Sequence, residues 1–116
     1  MIEVGEYVIN QNRLVIGQII EINEERQEAI IKTDTDKVKI PIGFWNIKKH
    51  SKNIIDLIEA WDYVNGILIE DIEEIDNKKV FYSNGEMIAW TNRDKGIETI
   101  LTKEQYQANC YTVERK

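Results

Sequence analysis

Isoleucine and valine recur along the chain in short runs that alternate with polar residues, a period-two pattern typical of β-strands with one buried face. Long stretches with helical spacing are absent, and the only proline is Pro41. We therefore expect a mainly β protein. The predicted strands cover residues 7–9, 14–23, 28–34, 37–40, 62–64, 67–75, 78–83, 86–90, 97–101 and 110–114.

Short polar segments between these runs predict tight turns and two short helices. The clearest turn is Asn84–Gly85, between KKVFYS and EMIAW, because both central residues of a type I′ hairpin turn need positive φ. Thr102 and Gln105 fit a capping box at the start of a helix over residues 103–108. A single helical turn is predicted over residues 51–57, with a serine or asparagine as its N-cap.

The segment IEVGEYV at residues 2–8 is nearly repeated as IEAWDYV at residues 58–64. Six of the seven positions are identical or similar, and Gly5 against Trp61 is the mismatch. In each half a glycine, an isoleucine-rich strand with an acidic end and a second strand then follow in the same order. Such a unit looks like a small SH3-like barrel, and two units of this size gain a secure core by packing together.

The predicted fold is therefore two tandem SH3-like β-barrel units with one or two short helices. The first unit covers residues 1–48 and the second covers residues 58–116. Residues 49–57 form a linker with a helical turn.

Three blocks of the chain resemble small uncharacterised proteins of phages and prophages of low-GC Gram-positive bacteria. These blocks are VGEYV at residues 4–8, KHSKNIIDLIE with DYVNG across residues 49–66, and ILTKEQY at residues 100–106. Relatives usually have VGDYV where this chain has AWDYV, so Trp61 argues against a tight glycine turn in the second half. The resemblance implies a phage or mobile-element origin and expression inside an infected bacterium. It implies no activity.

Length and composition limit the classes of protein that fit. The chain has 116 residues, 42% of them hydrophobic and 31% charged, which suits one compact domain or two half-size units and excludes a large multidomain enzyme. There is no membrane-length apolar run and no signal-peptide pattern at the N-terminus, so we expect a cytoplasmic location without membrane contact. The single cysteine, Cys110, has no partner for an internal disulfide.

Few residues suit catalysis. The chain has one histidine, His50, and it lacks a phosphate-binding glycine loop, a Ser/His/Asp order and a Cys/His metal spacing. His50 is expected to be exposed or to cap a turn. We therefore expect neither an enzyme nor a bound metal or cofactor.

The charge of −6 is unevenly distributed. Residues 37–52 contain five lysines and no acid, whereas residues 53–77 contain eight acids and no base. Segregation of this kind marks either a binding face or an ordinary solvated surface. The acids at the end of this stretch alternate with isoleucine as in a strand and lack the glycine of a calcium loop. A carboxylate row on a strand also resembles the phosphates of nucleic acid and suits the DNA channel of a nuclease.

Our leading hypothesis is a non-catalytic phage- or prophage-encoded protein that inhibits a bacterial host or defence protein, such as a nuclease, through an acidic face that mimics DNA. It would act as a monomer or a small homo-oligomer. The predicted protein interface consists of Trp61, Glu70, Asp71, Glu73, Glu74, Asp76, Trp90 and Arg93.

Two other functions stay open. Aromatic residues among lysines are typical of a surface that binds single-stranded nucleic acid, where bases stack on rings and lysines follow phosphates. The residues of this surface would be Phe44, Trp45, Lys48, Lys49 and Lys52. The other alternative is an oligomer that sequesters a small ligand or nucleotide.

Overall fold

The computed structural model describes residues 1–33, 38–76, 78–88 and 97–109. Within these ranges the protein is mainly β, as predicted, with three antiparallel sheets that are not closed into barrels and one α-helix. The strands are β1 (Tyr7–Asn10), β2 (Ile16–Asn23), β3 (Glu28–Lys32), β4 (Lys39–Gly43), β5 (Ile47–Ser51), β6 (Tyr63–Val64), β7 (Ile67–Leu68), β8 (Asp71–Ile75), β9 (Lys78–Ser83), β10 (Glu86–Ile88) and β11 (Ile100–Leu101), and the helix is α1 (Lys103–Asn109).

The first half, residues 1–57, forms a five-stranded sheet in the order β4-β3-β2-β1-β5. The register between β2 and β3 shifts between Ile19 and Glu21, where a bulge lets the long strand β2 bend. Alternate side chains of these strands point to one face and bury a core, as the period-two pattern requires. The core consists of Val8, Ile19, Ala29, Ile31 and Ile42.

Strand β5 is absent from the predicted strands, because its sequence IKKHS is rich in lysine and most of it falls within the predicted linker. It pairs with β1, so that Val8 lies opposite His50, and the predicted boundary at residue 48 falls within this strand. Ile47, Lys49 and Ser51 are half-buried, whereas Lys48 and His50 are exposed. Because all but one of these side chains are polar, the alternation of half-buried and exposed positions does not appear in the hydrophobicity of the sequence. A 3₁₀ turn follows β5 at Ile54–Leu57, within the predicted helical segment.

The second half, residues 58–109, contains two three-stranded sheets, β11-β6-β7 and β10-β9-β8. The predicted strand over residues 67–75 is divided into β7 and β8. The hairpin turn Asn84–Gly85 is confirmed, with φ angles of 52° and 77°. The predicted strand at residues 110–114, together with Cys110, lies outside the described residues. The core of this half consists of Ile58, Val64, Ile69 and Phe81, together with Ile55 from the end of the first half.

The predicted capping box at the start of α1 is confirmed. Gln105 N donates a hydrogen bond to Thr102 Oγ1 at 3.0 Å, and Thr102 N donates to Gln105 Oε1 at 2.9 Å. The two side chains thereby satisfy backbone donors that the first turn of a helix leaves without partners. The helix begins at Lys103, as predicted, and ends one residue beyond the predicted end.

The opening turn of the first half is held by four hydrogen bonds. Gly5 N donates to Ile19 O and Ile19 N donates to Glu6 O, both at 2.8 Å. Glu6 N donates to Glu3 O at 3.2 Å, and the Glu6 carboxylate accepts a hydrogen bond from Glu3 N at 2.6 Å. Gly5 has a φ of 97°, in the left-handed region that favours glycine.

The second half repeats this turn bond for bond. Trp61 N donates to Ile69 O at 2.6 Å, Ile69 N donates to Asp62 O at 2.8 Å, and Asp62 N donates to Glu59 O at 3.2 Å. The Asp62 carboxylate accepts from Glu59 N at 2.8 Å. Trp61 has a φ of 75°, so it adopts the conformation that Gly5 has in the first half. The expectation that tryptophan disrupts this turn was wrong.

Arg13 joins the two halves. Its side chain is 2% exposed, and its guanidinium makes a bidentate contact with the fully buried Asp62, Nη1 to Oδ1 at 2.8 Å and Nη2 to Oδ2 at 2.6 Å. Nη2 also donates to Leu57 O at 3.1 Å, and Nη1 contacts Glu104 Oε1 at 3.0 Å. Nε lies 3.4 Å from the Glu59 carboxylate, in an ion pair without hydrogen-bond geometry. Carboxylates of the second half thus surround one arginine of the first.

Candidate protein-binding site

The acidic segment predicted as an interface lies along an edge of the protein. Strand β8 has β9 on one side and no neighbouring strand among the described residues on the other. The side chains of Asp71, Glu73 and Glu74 on β8 are exposed, and so are Glu70 before it and Asp76 after it. The structure therefore brings all five predicted carboxylates to one exposed strand edge.

These carboxylates contact neutral groups. Glu70 accepts a hydrogen bond from Asn84 N, and Glu73 Oε2 accepts one from the Tyr82 hydroxyl at 3.3 Å. Partial desolvation and the nearby charges of Glu73 and Asp71 raise the pKa of Tyr82. Within the described ranges, no lysine or arginine forms an ion pair with the five carboxylates.

The remaining predicted interface residues have different positions. Trp61 is 51% exposed, so a large part of its indole faces solvent. Trp90 and Arg93 lie outside the described residues.

The lysines predicted to bind nucleic acid are engaged by carboxylates of the same chain. Lys48 and Lys49 contact Glu59 Oε2 at 3.6 Å and 3.2 Å, and Lys52 contacts Glu3 at 3.0 Å. Burial acts to raise the pKa of Glu59, but the hydrogen bond with Lys49 and the charges of Arg13 and Lys48 outweigh it and lower the pKa. These lysines are partly neutralised by their acidic neighbours.

The two aromatic residues next to these lysines differ in exposure. Trp45, in the 3₁₀ turn Phe44–Asn46, is 82% exposed, and its indole folds back over Gly43. Phe44 is half-buried against the first core. Only one of the two rings is therefore free for stacking.

His50 is exposed on β5, in agreement with the expectation, and its Nδ1 lies 3.0 Å from Glu6 Oε2. Burial acts to raise the pKa of Glu6, but the contact with His50 and the hydrogen bond from Glu3 N outweigh it and lower the pKa. This pair stabilises the opening turn of the first half.

Sequence inspection missed a second cluster, made of half-buried and exposed apolar and aromatic side chains. Tyr63 on β6 lies opposite Leu68 on β7 and Leu101 on β11, and its ring packs on that of Tyr106 at a centroid distance of 5.3 Å. Leu101 is 40% exposed and Tyr106 is 46% exposed. Hydrophobicity alone gives no sign of this cluster, because the face on which Tyr63 and its neighbours lie depends on how three very short strands pair.

Other kinds of site find little support in the described part of the chain. No group of three or more histidine, cysteine or acidic side chains there is arranged to hold a metal ion, and none of its helices has the length and apolar character needed to cross a membrane. Three grooves lie among the described residues. One, of about 280 Å³, lies between the halves and is lined by Tyr7, Gln18 and Glu98 among others. A second, of about 410 Å³, lies between Ile2, Phe44 and Ile47, and a third, of about 290 Å³, lies beside the acidic strand at Glu70, Glu73 and Tyr82.

The comparisons with known proteins add no family. Neither the protein-family models, nor the curated proteins, nor the solved structures contain a match to this chain.

Proposed function

We propose that this protein is a non-catalytic binding protein, encoded by a phage or prophage, that inhibits a bacterial host or defence protein through the acidic edge strand β8. The observation that carries the proposal is the set of exposed carboxylates from Glu70 to Asp76 that form no ion pair with a described base. Unneutralised charge of one sign attracts a cationic partner and speeds its association.

Counted over both faces of the strand, the charge along this segment is nearly as dense as that of one DNA strand. Five carboxylates occupy the seven residues 70–76, and an extended segment of that length spans about 20 Å. One strand of DNA carries a charge about every 3.4 Å, or about six charges over the same length. A protein surface built to hold a phosphate row, such as the DNA channel of a nuclease, therefore fits as the partner. A nuclease is the most specific form of the proposal.

The test is affinity capture from bacterial lysate, followed by a direct nuclease assay with the captured protein. The test variant carries Glu70→Gln, Asp71→Asn, Glu73→Gln and Glu74→Gln. The matched control carries Glu21→Gln, Glu24→Gln, Glu25→Gln and Glu28→Gln, which removes the same charge from the corresponding hairpin of the first half.

We expect wild type and control to capture a stoichiometric partner and to inhibit it, with inhibition weakened by added DNA. The β8 variant is expected to lose both properties. The proposal fails if no stoichiometric partner is captured, or if the β8 variant captures and inhibits as well as wild type does.

We also propose that each half is an SH3-like unit. In such a unit a long, bent second strand belongs to both sides of a rolled sheet, and the last strand returns beside the first. The order β4-β3-β2-β1-β5 and the 3₁₀ turn before β5 support this for the first half. The order of β11, β6 and β7 supports it for the second. Backbone NOEs that join residues 67–75 into one continuous strand would support the assignment, and their absence would contradict it.

Binding of single-stranded nucleic acid is a second candidate, favoured by the 82% exposure of Trp45. Bases stack on exposed rings, and affinity from phosphate contacts falls with salt. The test is a titration of tryptophan fluorescence with oligonucleotides at low salt, and Trp45→Phe is the control that shows whether Trp45 reports the binding. Lack of tryptophan quenching or of salt dependence removes this candidate.

A further inference from the structure

The exposed apolar cluster of the second half forms a continuous row. Leu101, Tyr63 and Leu68 lie side by side on three paired strands, and Tyr106 of α1 packs on Tyr63. Trp61 adjoins these residues through the backbone, because its N–H donates to Ile69 O, next to Leu68, and its side chain is 51% exposed. We call this surface the apolar row; it consists of Trp61, Tyr63, Leu68, Leu101 and Tyr106. Scattered apolar side chains on a surface are ordinary, but contiguous ones mark interaction sites.

The first half shows what these positions require for folding. The corresponding strands pair in the same way, and Tyr7, the counterpart of Tyr63, lies between Gln18 and Ser51. Gly5 occupies the position of Trp61, with the same hydrogen bonds. The same turn and the same three-strand pairing therefore form with glycine, glutamine and serine.

The apolar residues of the second half are thus not needed to build this part of the fold. Leu68 stands where the first half has Gln18, and Leu101 stands where it has Ser51. Trp61 is more telling, because it keeps a large side chain at a φ of 75°, where a residue with a Cβ is strained and glycine is not. Strain that persists at an exposed position points to a function. Tryptophan and tyrosine are also the residue types that most often dominate binding energy at interfaces.

The surrounding charge identifies the kind of occupant. Leu68 of the row is followed closely in the chain by Glu70 and the acidic strand β8, and the five carboxylates from Glu70 to Asp76 are exposed and form no ion pair with a described base. A second copy of this chain, placed face to face on the row, would bring two acidic strands together. Nucleic acid and anionic membrane surfaces are repelled for the same reason. A segment that is both apolar and basic is complementary to the row and to β8 at once.

We infer that the apolar row is the docking surface for an apolar, basic segment of a partner protein, with β8 holding its basic residues. This inference rests on the proposed function and deepens it. The aromatic and leucine side chains supply the anchor, and the carboxylates supply attraction and orientation.

The experiment selects short random displayed peptides on the wild-type protein and measures their affinity by anisotropy of the labelled peptide. The row variant carries Trp61→Gly, Leu68→Gln and Leu101→Ser, the residues that the first half has at these positions. Met87→Gln serves as the matched control, because Met87 is an apolar residue, 65% exposed, on strand β10 of the other sheet. The β8 variant described above is measured alongside, and circular dichroism checks that each protein is folded.

We expect the selected peptides to be enriched in lysine or arginine together with large apolar residues. The row variant is expected to bind them at least about tenfold more weakly, and the Met87→Gln control is expected to bind them as wild type does. If the row variant weakens binding and the β8 variant does not, the row stands as a docking surface for an apolar segment, whereas both the role of β8 in this inference and the acidic-face proposal fail.

Three results would overturn the inference. The first is that the selected peptides bind the row variant with the same affinity as the wild type. If the β8 variant does not bind these peptides, only the acidic-face proposal survives. Another is self-association of the wild type that the row variant abolishes, since the row would then be a contact between copies. The last is a selection that yields no binding peptide.

Discussion

Replacement of Arg13 by methionine tests whether the buried ion pair holds the two halves together. Methionine fills much of the volume of arginine, but it leaves the Asp62 carboxylate buried without a counter-charge. Two N–H donors remain on that carboxylate, from Glu59 at 2.8 Å and from Lys103 at 3.0 Å. Removal of one partner from a buried pair costs about 3–5 kcal/mol, a large share of the total stability of about 5–15 kcal/mol for a protein of this size.

The assay is urea and thermal unfolding at neutral pH. At about 4 °C per kcal/mol, Arg13→Met is expected to lower the melting temperature by about 12–20 °C. The matched control is Lys52→Met, which breaks the exposed contact with Glu3 at 3.0 Å. Exposed pairs contribute less than about 1 kcal/mol, so this control is expected to melt within a few degrees of wild type.

A second substitution separates the charge effect from loss of packing. The two N–H donors bond to different oxygens of Asp62, so in the double variant Arg13→Met, Asp62→Asn the new amide would keep an acceptor oxygen for one of them and would carry no charge. We expect this double variant to recover at least about 1 kcal/mol relative to Arg13→Met alone. A cost below about 1 kcal/mol for Arg13→Met, or strictly additive effects of the two substitutions, would refute a coupled buried pair.

Three further outcomes follow from single positions. Trp61→Gly is expected to be about 1 kcal/mol more stable than Trp61→Ala, because both lose the indole and only alanine is strained at positive φ; equal unfolding midpoints would contradict this. Thr102→Ala is expected to lose about 2 kcal/mol of unfolding free energy and Thr102→Ser much less, because Oγ1 caps α1 and donates to Arg13 O at 2.7 Å. Thermal unfolding of the two variants measures this difference. The pKa of Glu6 is lowered in the folded protein, so its stabilising contribution is complete above its ordinary pKa of 4.5 and is lost as the pH falls through the folded value. Glu6→Gln is therefore expected to flatten the dependence of stability on pH in acid, as measured by urea unfolding between about pH 6 and about pH 3.

Features of this fold that depend on local sequence could be predicted, and those set by distant partners could not. The turn Asn84–Gly85 and the capping box of Thr102 and Gln105 involve residues close in the chain, and both are confirmed. Arg13 stands in the polar segment QNRL and looks like a loop residue. Its partner Asp62 is 49 residues away, and no local pattern connects the two.

The candidate site divides in the same way. The carboxylates of β8 could be assigned to an exposed strand because β-branched isoleucines recur among the acids of this segment, with a turn signal after it. The apolar row could not be found by hydrophobicity, because Leu68 and Leu101 belong to two-residue strands in which either residue could face the core. The register opposite Tyr63 decides which one does, and that register is a long-range property.

The two opening turns show how a repeated segment came to have different tasks in the two halves. The carboxylate of Glu6 contacts His50 of its own half, whereas the corresponding carboxylate of Asp62 contacts Arg13 across the junction. The side of the first sheet that faces away from the first core is also covered by the protein itself. Ile9 on this side is fully buried, and Tyr7 lines the groove between the halves. The corresponding side of the second half has no such cover among the described residues, and its side chains there are apolar. Repetition therefore provides the stable body, and the difference between the halves provides the partly exposed apolar surface of the second half.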